Sequence, residues 1–370
     1  MILVVMKKFF IIICCFSFLS SYAQQYLQSG FNAKEYVETI SMFSRMGDTV
    51  AAWDKTPAPV HFDKIYSSPV VGLKNKWCLW LQKDKHVAVI SIRGTVNELP
   101  SWLENFYAAM IPAKGTLQLN DSTTFDYQFA ENREASVHVG WTIGIAYLAP
   151  GIVQKIKEQY ANGVKEFVIA GHSQGGALAF LLRSYLFYLT KNGGLPKDIV
   201  YKTYCSAAPK PGNLYYAYDF DFITRNGWAF TIVNAKDWVP ESPFTVQRIA
   251  DFNAVNPFVN VKDVLAKQKL VVRWYLNGVY NKLNRRTTKA QSSINKYLGG
   301  TIYGQVKKVL PQLKEPQYAA VANYMRAGVP IVLIPDEAYM KEHPDDPKKI
   351  WEHHMPYAYY ELTEKYYGNK

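Results

Sequence analysis

The sequence predicts an α/β protein with a mainly parallel sheet and helices on both faces, and three observations carry that reading. Strand-like runs alternate with helical stretches from about residue 139 to residue 233, the order that winds a parallel sheet between helices. A glycine-flanked serine, in FVIAGHSQGGALAF at 167–180, sits where one such strand hands over to a helix. The apolar fraction of 49% and the aromatic fraction of 15% supply a large core and exclude a disordered chain over 370 residues.

The first segment lies outside that fold. Lys7 and Lys8 precede an apolar run from Phe9 to Leu19, and Ser21 and Ala23 provide the small residues beside which a signal peptidase cuts. Residues 1–23 therefore read as a signal peptide and 24–370 as the folded unit, with Met6 as plausible a start as Met1. The run is too short for a membrane span, and no second run approaches the needed length. Cys14 and Cys15 lack the small residue that precedes a lipid-modified cysteine, which favours simple export, periplasmic or secreted, over a lipid anchor. Cys78 and Cys205 remain, each in a strand-like run (WCLWL, TYCSAA), and read as buried reduced thiols in a compartment that allows one bridge. They have no histidine spacing that would make a zinc site, and no metal or organic cofactor is implied.

The elements follow in order. A helix is expected over Ala33–Trp53, where Tyr36, Val37, Ile40, Phe43 and Met46 recur at helical spacing, with Pro57 and Pro59 ending it. WCLWLQKDKHVAVISIRGT (77–95) predicts a hairpin whose second strand ends at Arg93-Gly94-Thr95. Residues 97–135 mix aromatics with polar positions and suit loops and short elements. A helical stretch covers about Val139–Tyr160, with Pro150 and Gly151 expected to interrupt it. Strand Glu166–Ala170, helix Gly175–Leu189 and strands Val200–Ala207 and Ala229–Val233 complete the alternation, and VPIVLIP (329–335) adds a late strand.

A segment of about 241–325 breaks the pattern and reads as a basic helical insertion on the sheet. Residues 265–283 form an amphipathic helix candidate whose basic face includes Lys269, Arg273 and Lys282, and 294–313 is less regular around Gly299 and Gly300. From Lys262 to Lys314 twelve Lys or Arg meet a single acid, Asp263, so this stretch carries almost all of the formal charge of +12. Such a segment can rest on an anionic lipid surface, although basic helices also serve as plain solvated faces. A nucleic-acid partner is excluded by the absence of a recognition motif and by the leader.

The glycines around the serine allow a tight strand-to-helix elbow that lifts Ser173 Oγ above the sheet and sets the Gln174 amide at a helix N-terminus, facing developing negative charge. A serine is a weak nucleophile on its own, so a histidine and a carboxylate are required. His172 is adjacent, and neighbours on such a turn point apart, which makes it structural. Asp237 lies on a loop just past the TIVN strand, whereas no strand leads into Asp219 or Asp221. Of the histidines after Asp237, His354 is the first choice for the base and His353 the second, while His343 in KEHPDDPKK is expected to be solvated. Thr95, at the end of the AVISI strand, is the candidate second oxyanion donor.

The set SIRGT, VHVGW, FVIAGHSQGGALA, CSAAPKPGN, IVNAKDWVP and HHMPY resembles the class 3 lipases, α/β-hydrolases related to the filamentous fungal triacylglycerol lipases. The resemblance covers about Val87–Val239 well and the tail weakly. It implies an α/β-hydrolase fold, a Ser173–His354–Asp237 triad with oxyanion donors at Thr95 and Gln174, and an acyl lipid ester as substrate. The choice of His354 draws on Tyr357, three residues on, matching the family's histidine-to-aromatic spacing. Gln174 departs from the family's leucine and is expected to set a polar side chain by the acyl site. Phospholipase A-type or short-chain carboxylesterase activity are alternatives within the class. An exported binding protein on a hydrolase scaffold is the alternative outside it.

Overall fold

Seven strands form the central sheet of the computed structural model, which describes residues 25–47, 54–256, 258, 265–266 and 269–368. In chain order they are β1 (Phe62–Ser67), β2 (Trp77–Gln82), β3 (Val87–Ile92), β4 (Glu166–His172), β5 (Val200–Ser206), β6 (Ala229–Asn234) and β7 (Val329–Leu333), and they lie side by side in that same order. β1, β2 and β3 pair antiparallel; β3 through β7 are all parallel. The strands carry the sheet between two cores by simple alternation. In β4, Phe167 and Ile169 enter one core while Val168 and Ala170 enter the other.

The first core is covered by α3 (Val139–Ala161) and α4 (Gln174–Lys191), the second by α1 (Ala33–Phe43) and the C-terminal α9 (Pro356–Tyr367). This is an α/β-hydrolase arrangement, a mainly parallel sheet between helical layers. β7 is an edge strand, which is why Pro330 is tolerated there: its missing N–H faces no further strand.

Two helix expectations need correction. α1 stops at Phe43 rather than Trp53; Ser44–Gly47 turn away, and 48–53 lie outside the described residues, as does the segment 1–23 expected to be a signal peptide. Met46 prolonged the apolar periodicity, yet it reaches the core from the turn, where Arg45 folds back onto the carbonyls of Ser41 and Thr56. Pro150 does not interrupt α3, which runs unbroken for 23 residues. The proline sits on the exposed side while Leu148, Ala149 and Ile152 are buried, so packing offsets the lost backbone hydrogen bond.

Residues 97–135 hold α2 (Leu99–Phe106), a short strand at Met110–Pro112 and a hairpin of Lys114–Gln118 with Thr124–Gln128. α5 (Leu214–Ile223) precedes β6 and carries Asp219 and Asp221, which accept from Glu131 N–H and Tyr188 OH, and from Gly328 N–H, respectively. Beyond β6 come α6 (Leu270–Ile294), a π-helical turn at Asn295–Thr301 containing Gly299 and Gly300, and α7 (Ile302–Val309). α8 (Glu337–Glu342) follows β7. Among the described residues no helix is long and apolar enough to cross a membrane, and Cys78 and Cys205 are free and buried.

Candidate active site

Strand β4 ends at His172 and α4 begins at Gln174, so Ser173 alone makes the turn. Its φ of 60° and ψ of −129° are a conformation that a non-glycine residue keeps only when its surroundings impose it. Close approach imposes it here. A β-carbon at Gly171 would lie 2.0 Å from the Gly175 carbonyl oxygen, one at Gly175 would lie 2.2 Å from Ile92 O, and one at Gly94 would lie 2.9 Å from His172 O. The Ser173 N–H donates to Ser206 O at 2.9 Å, tying the turn to β5.

Ser173 Oγ donates to His354 Nε2 at 2.8 Å, and His354 Nδ1 donates to Asp237 Oδ2 at 2.7 Å. The carboxylate can only accept, which fixes the proton on Nδ1 and leaves Nε2 bare toward the serine. Asp237 is buried just past β6, and its oxygens also accept from Tyr359 OH (2.7 Å) and Val239 N–H (2.9 Å), so the buried group is well satisfied.

His172 holds the backbone of this arrangement. Its Nε2 donates to the His354 carbonyl at 2.7 Å; its Nδ1 then accepts from Ser206 Oγ at 3.0 Å, which in turn accepts from Tyr36 OH at 2.7 Å. Burial, and then the neighbouring His354, keep His172 well below the usual imidazole range, so it stays neutral and keeps this bonding pattern. Asn234 Nδ2 donates to the next carbonyl, that of His353, at 2.9 Å. The His353 ring itself bonds Tyr339 and Asp345. His343, expected in solvent, is instead half-buried between Glu352 and Glu361, where α8 and α9 converge. Glu342, His343 and Glu361 are the grouping with metal-ligand spacing among the described residues, yet both imidazole nitrogens already face carboxylates.

Thr95 follows β3, and its Oγ1 accepts from Asn105 Nδ2 at 2.9 Å, which leaves the threonine hydrogen free to point into the site. Asn105 is itself held, its Oδ1 accepting from Trp141 Nε1 at 3.2 Å and its carbonyl from His138 Nε2 at 3.1 Å. His138 Nδ1 accepts from Trp141 N–H, and burial pushes its pKa down to about 3, so it stays neutral. The Gln174 side chain is taken up by α2: Nε2 donates to Ser101 O at 3.1 Å, and Ser101 Oγ donates to Oε1 at 3.3 Å. The polar replacement for leucine thus ties the elbow to α2. Sequence reasoning missed Asn105, Ser101 and Tyr359; an asparagine ten residues after Thr95 gives no local signal of this contact.

Thr95, Ser173 and His354 open into a cavity of about 1140 Å³. Its walls include Trp102, Phe106, Trp238, Phe244 and Trp351, with Leu298 from the π-helical turn. A hydroxyl, an imidazole and a carboxylate joined in one hydrogen-bonded chain at an apolar cavity form an arrangement that can carry acyl transfer.

Fold and site together define an α/β-hydrolase with a serine–histidine–aspartate constellation. Residues 89–247 match the family model described as lipase (class 3). Two curated relatives are similar: the secreted mono- and diacylglycerol lipase 1 of Fusarium solani, 25% identical over 45% of this chain and 49% of its own length, and the triacylglycerol lipase OBL1 of Ricinus communis, 26% identical over 44% and 36%. The chain thus spans half or less of the curated relatives it matches. Among solved structures, the Rhizomucor miehei lipase in its propeptide complex is 18% identical with a TM-score of 0.42, covering 58% of this chain and 65% of that one. Lip2 lipase from Yarrowia lipolytica is 19% identical with a TM-score of 0.41, covering 58% and 76%.

Proposed function

We propose that the protein hydrolyses carboxylic esters of lipids through an acyl-enzyme on Ser173. His354 removes the Ser173 proton as Oγ attacks the ester carbonyl, and Asp237 steadies the imidazolium that forms. The amides of Thr95 and Gln174, helped by the Thr95 hydroxyl, hold the tetrahedral oxyanion. His354 then protonates the leaving alcohol, and a water molecule, deprotonated by the same imidazole, releases the acid and restores the serine. The observation that carries this reading is the unbroken hydrogen-bonded chain from Ser173 through His354 to Asp237 at an apolar cavity.

An acyl lipid is favoured as substrate because the cavity is apolar and exceeds the range of about 300–1,000 Å³ that holds compact ligands. The names of the relatives point the same way, to mono-, di- and triacylglycerols. Such substrates lie at water–lipid boundaries, and the basic segment from Lys262 to Lys314 supports contact with anionic lipid there. The leader-like residues 1–23 support export as the setting.

The test is the rate on p-nitrophenyl esters of increasing chain length. S173A should lose about 10⁴- to 10⁶-fold in kcat on every ester while keeping the wild-type circular dichroism. Full activity in S173A would end the proposal, and a wild-type rate that falls as the chain lengthens would replace lipase with short-chain esterase.

A further inference from the structure

Helix α6 is built inside out. Its more shielded side carries Arg273, Asn277, Tyr280, Asn284 and Thr287, leading to the buried Gln291. The outward side of its first turns carries Leu270, Val271, Trp274 and Tyr275, which are 74%, 76%, 78% and 64% exposed. A helix that meets only water and its own protein places these residues the other way round. An apolar face of this kind calls for something to cover it.

The charge says what that is. No acid occurs between Asp263 and Glu315, and Lys282, Arg285, Arg286 and Lys289 occupy the turns that follow the apolar patch. Among the described residues none of these four has a carboxylate within ion-pairing distance. An acidic protein would match the charge but leave the Leu–Val–Trp face without a partner of its kind. A second copy would bring the same basic turns with it, like charge against like. An anionic bilayer answers both features, with acyl chains for the apolar turns and phosphates for the basic ones.

The helix is fixed at its far end and joined there to the active-site wall. Gln291 Oε1 accepts from Arg248 Nη1 at 3.4 Å, Asn295 Nδ2 donates to Ala319 O at 2.8 Å, and Ala109 N–H donates to Leu298 O at 3.1 Å. Leu298 lines the catalytic cavity. At about 1.5 Å per residue, α6 reaches roughly 37 Å from that wall.

We propose that α6 is an arm that docks the protein on anionic lipid: Leu270, Val271, Trp274 and Tyr275 enter the acyl boundary, and Lys282, Arg285, Arg286 and Lys289 bind the phosphate layer. The proposal rests on the lipid-ester reading of the site for its purpose, and its test is independent of that reading.

The experiment is flotation of the full chain with vesicles of diether lipids, which hold no carboxylic ester. One set is phosphatidylcholine alone and the other contains phosphatidylglycerol. The wild type should bind the anionic vesicles at least about tenfold more tightly and lose that preference in high salt. K282S/R285S/R286S/K289S should abolish the preference, and V271S/W274S should weaken binding about tenfold or more at every salt concentration. Both variants should hydrolyse soluble p-nitrophenyl acetate within about twofold of wild type, since neither touches the triad. Equal binding to both vesicle types, or undiminished binding by both variants, overturns the arm whatever the hydrolase assay reads. A dimer that V271S/W274S converts to monomer, with no vesicle binding by either, assigns the face to a second copy and also overturns it. Vesicle binding as described without ester hydrolysis sustains the arm and removes the hydrolase reading instead.

Discussion

The β4–Ser173–α4 elbow and helix α6 use the same residue types in opposite ways. In the elbow every residue of β4 is buried and three glycines are compelled by backbone atoms lying within 3 Å of where a side chain would begin. In α6 the large apolar residues of the first turns lie in solvent, and a β-carbon at Gly278 would touch nothing within 4 Å. The elbow is determined from within the fold, by close backbone approaches and hydrogen bonds inside the same chain. The exposed face of α6 is not, and the arm proposed above seeks its cover outside the chain.

Five substitutions can break or sharpen that contrast. The largest effect should come from D237N, which leaves the volume unchanged but reverses the hydrogen-bond logic at His354 Nδ1; kcat on a soluble ester should fall about 10⁴-fold with the melting temperature little changed. A fall of less than tenfold would mean that Asp237 does not orient the imidazole. Next comes one change made twice. G175A must push a β-carbon against Ile92 O and should cost about 3 kcal/mol or more in denaturant unfolding, whereas G278A should add up to about 1 kcal/mol of helix stability. Effects of the same sign and size would erase the distinction between the two regions.

N105A removes the donor to Thr95 Oγ1 without touching the triad, and should lower kcat about tenfold to a hundredfold while KM moves little. A change confined to KM would make Asn105 a substrate contact instead. The smallest effect concerns pH. His138 has a depressed pKa in the folded chain, so the unfolded chain binds a proton that the folded chain refuses. Its contribution to stability is therefore present above the ordinary value near 6.5 and is lost as pH falls toward the folded value of about 3. H138Q lacks this liability, so the melting-temperature advantage of wild type over H138Q should shrink as pH is lowered from 7 to 5; a constant difference would contradict a neutral buried imidazole.

The parts of this molecule that could be read from sequence are those whose causes are local. The strand, the glycines and the helix around Ser173 are contiguous, and Asp237 is placed by the strand just before it. His354 required chain order and a resemblance, because nothing near it distinguishes it chemically from His353. Position in the loop separates them: Asn234 and His172 grip the two successive carbonyls, and the two rings diverge to different partners. Contacts between distant residues, Tyr359 with Asp237 or Gln174 with Ser101, leave no trace in spacing. Met46 and Pro150 misled because periodicity and propensity describe a helix by itself, while the core decides where it ends or continues. In α6 the periodicity marked two faces, but it could not say which of them would meet the protein.

The central claim is that the hydroxyl of Ser173 is the nucleophile, activated by His354. Its most direct measurement is labelling of the intact protein with an alkyl fluorophosphonate, followed by peptide mass mapping. The account predicts a single adduct, on the peptide that contains Ser173, formed by wild type and absent from S173A. An adduct on another residue, or none on a folded wild-type chain, would contradict it.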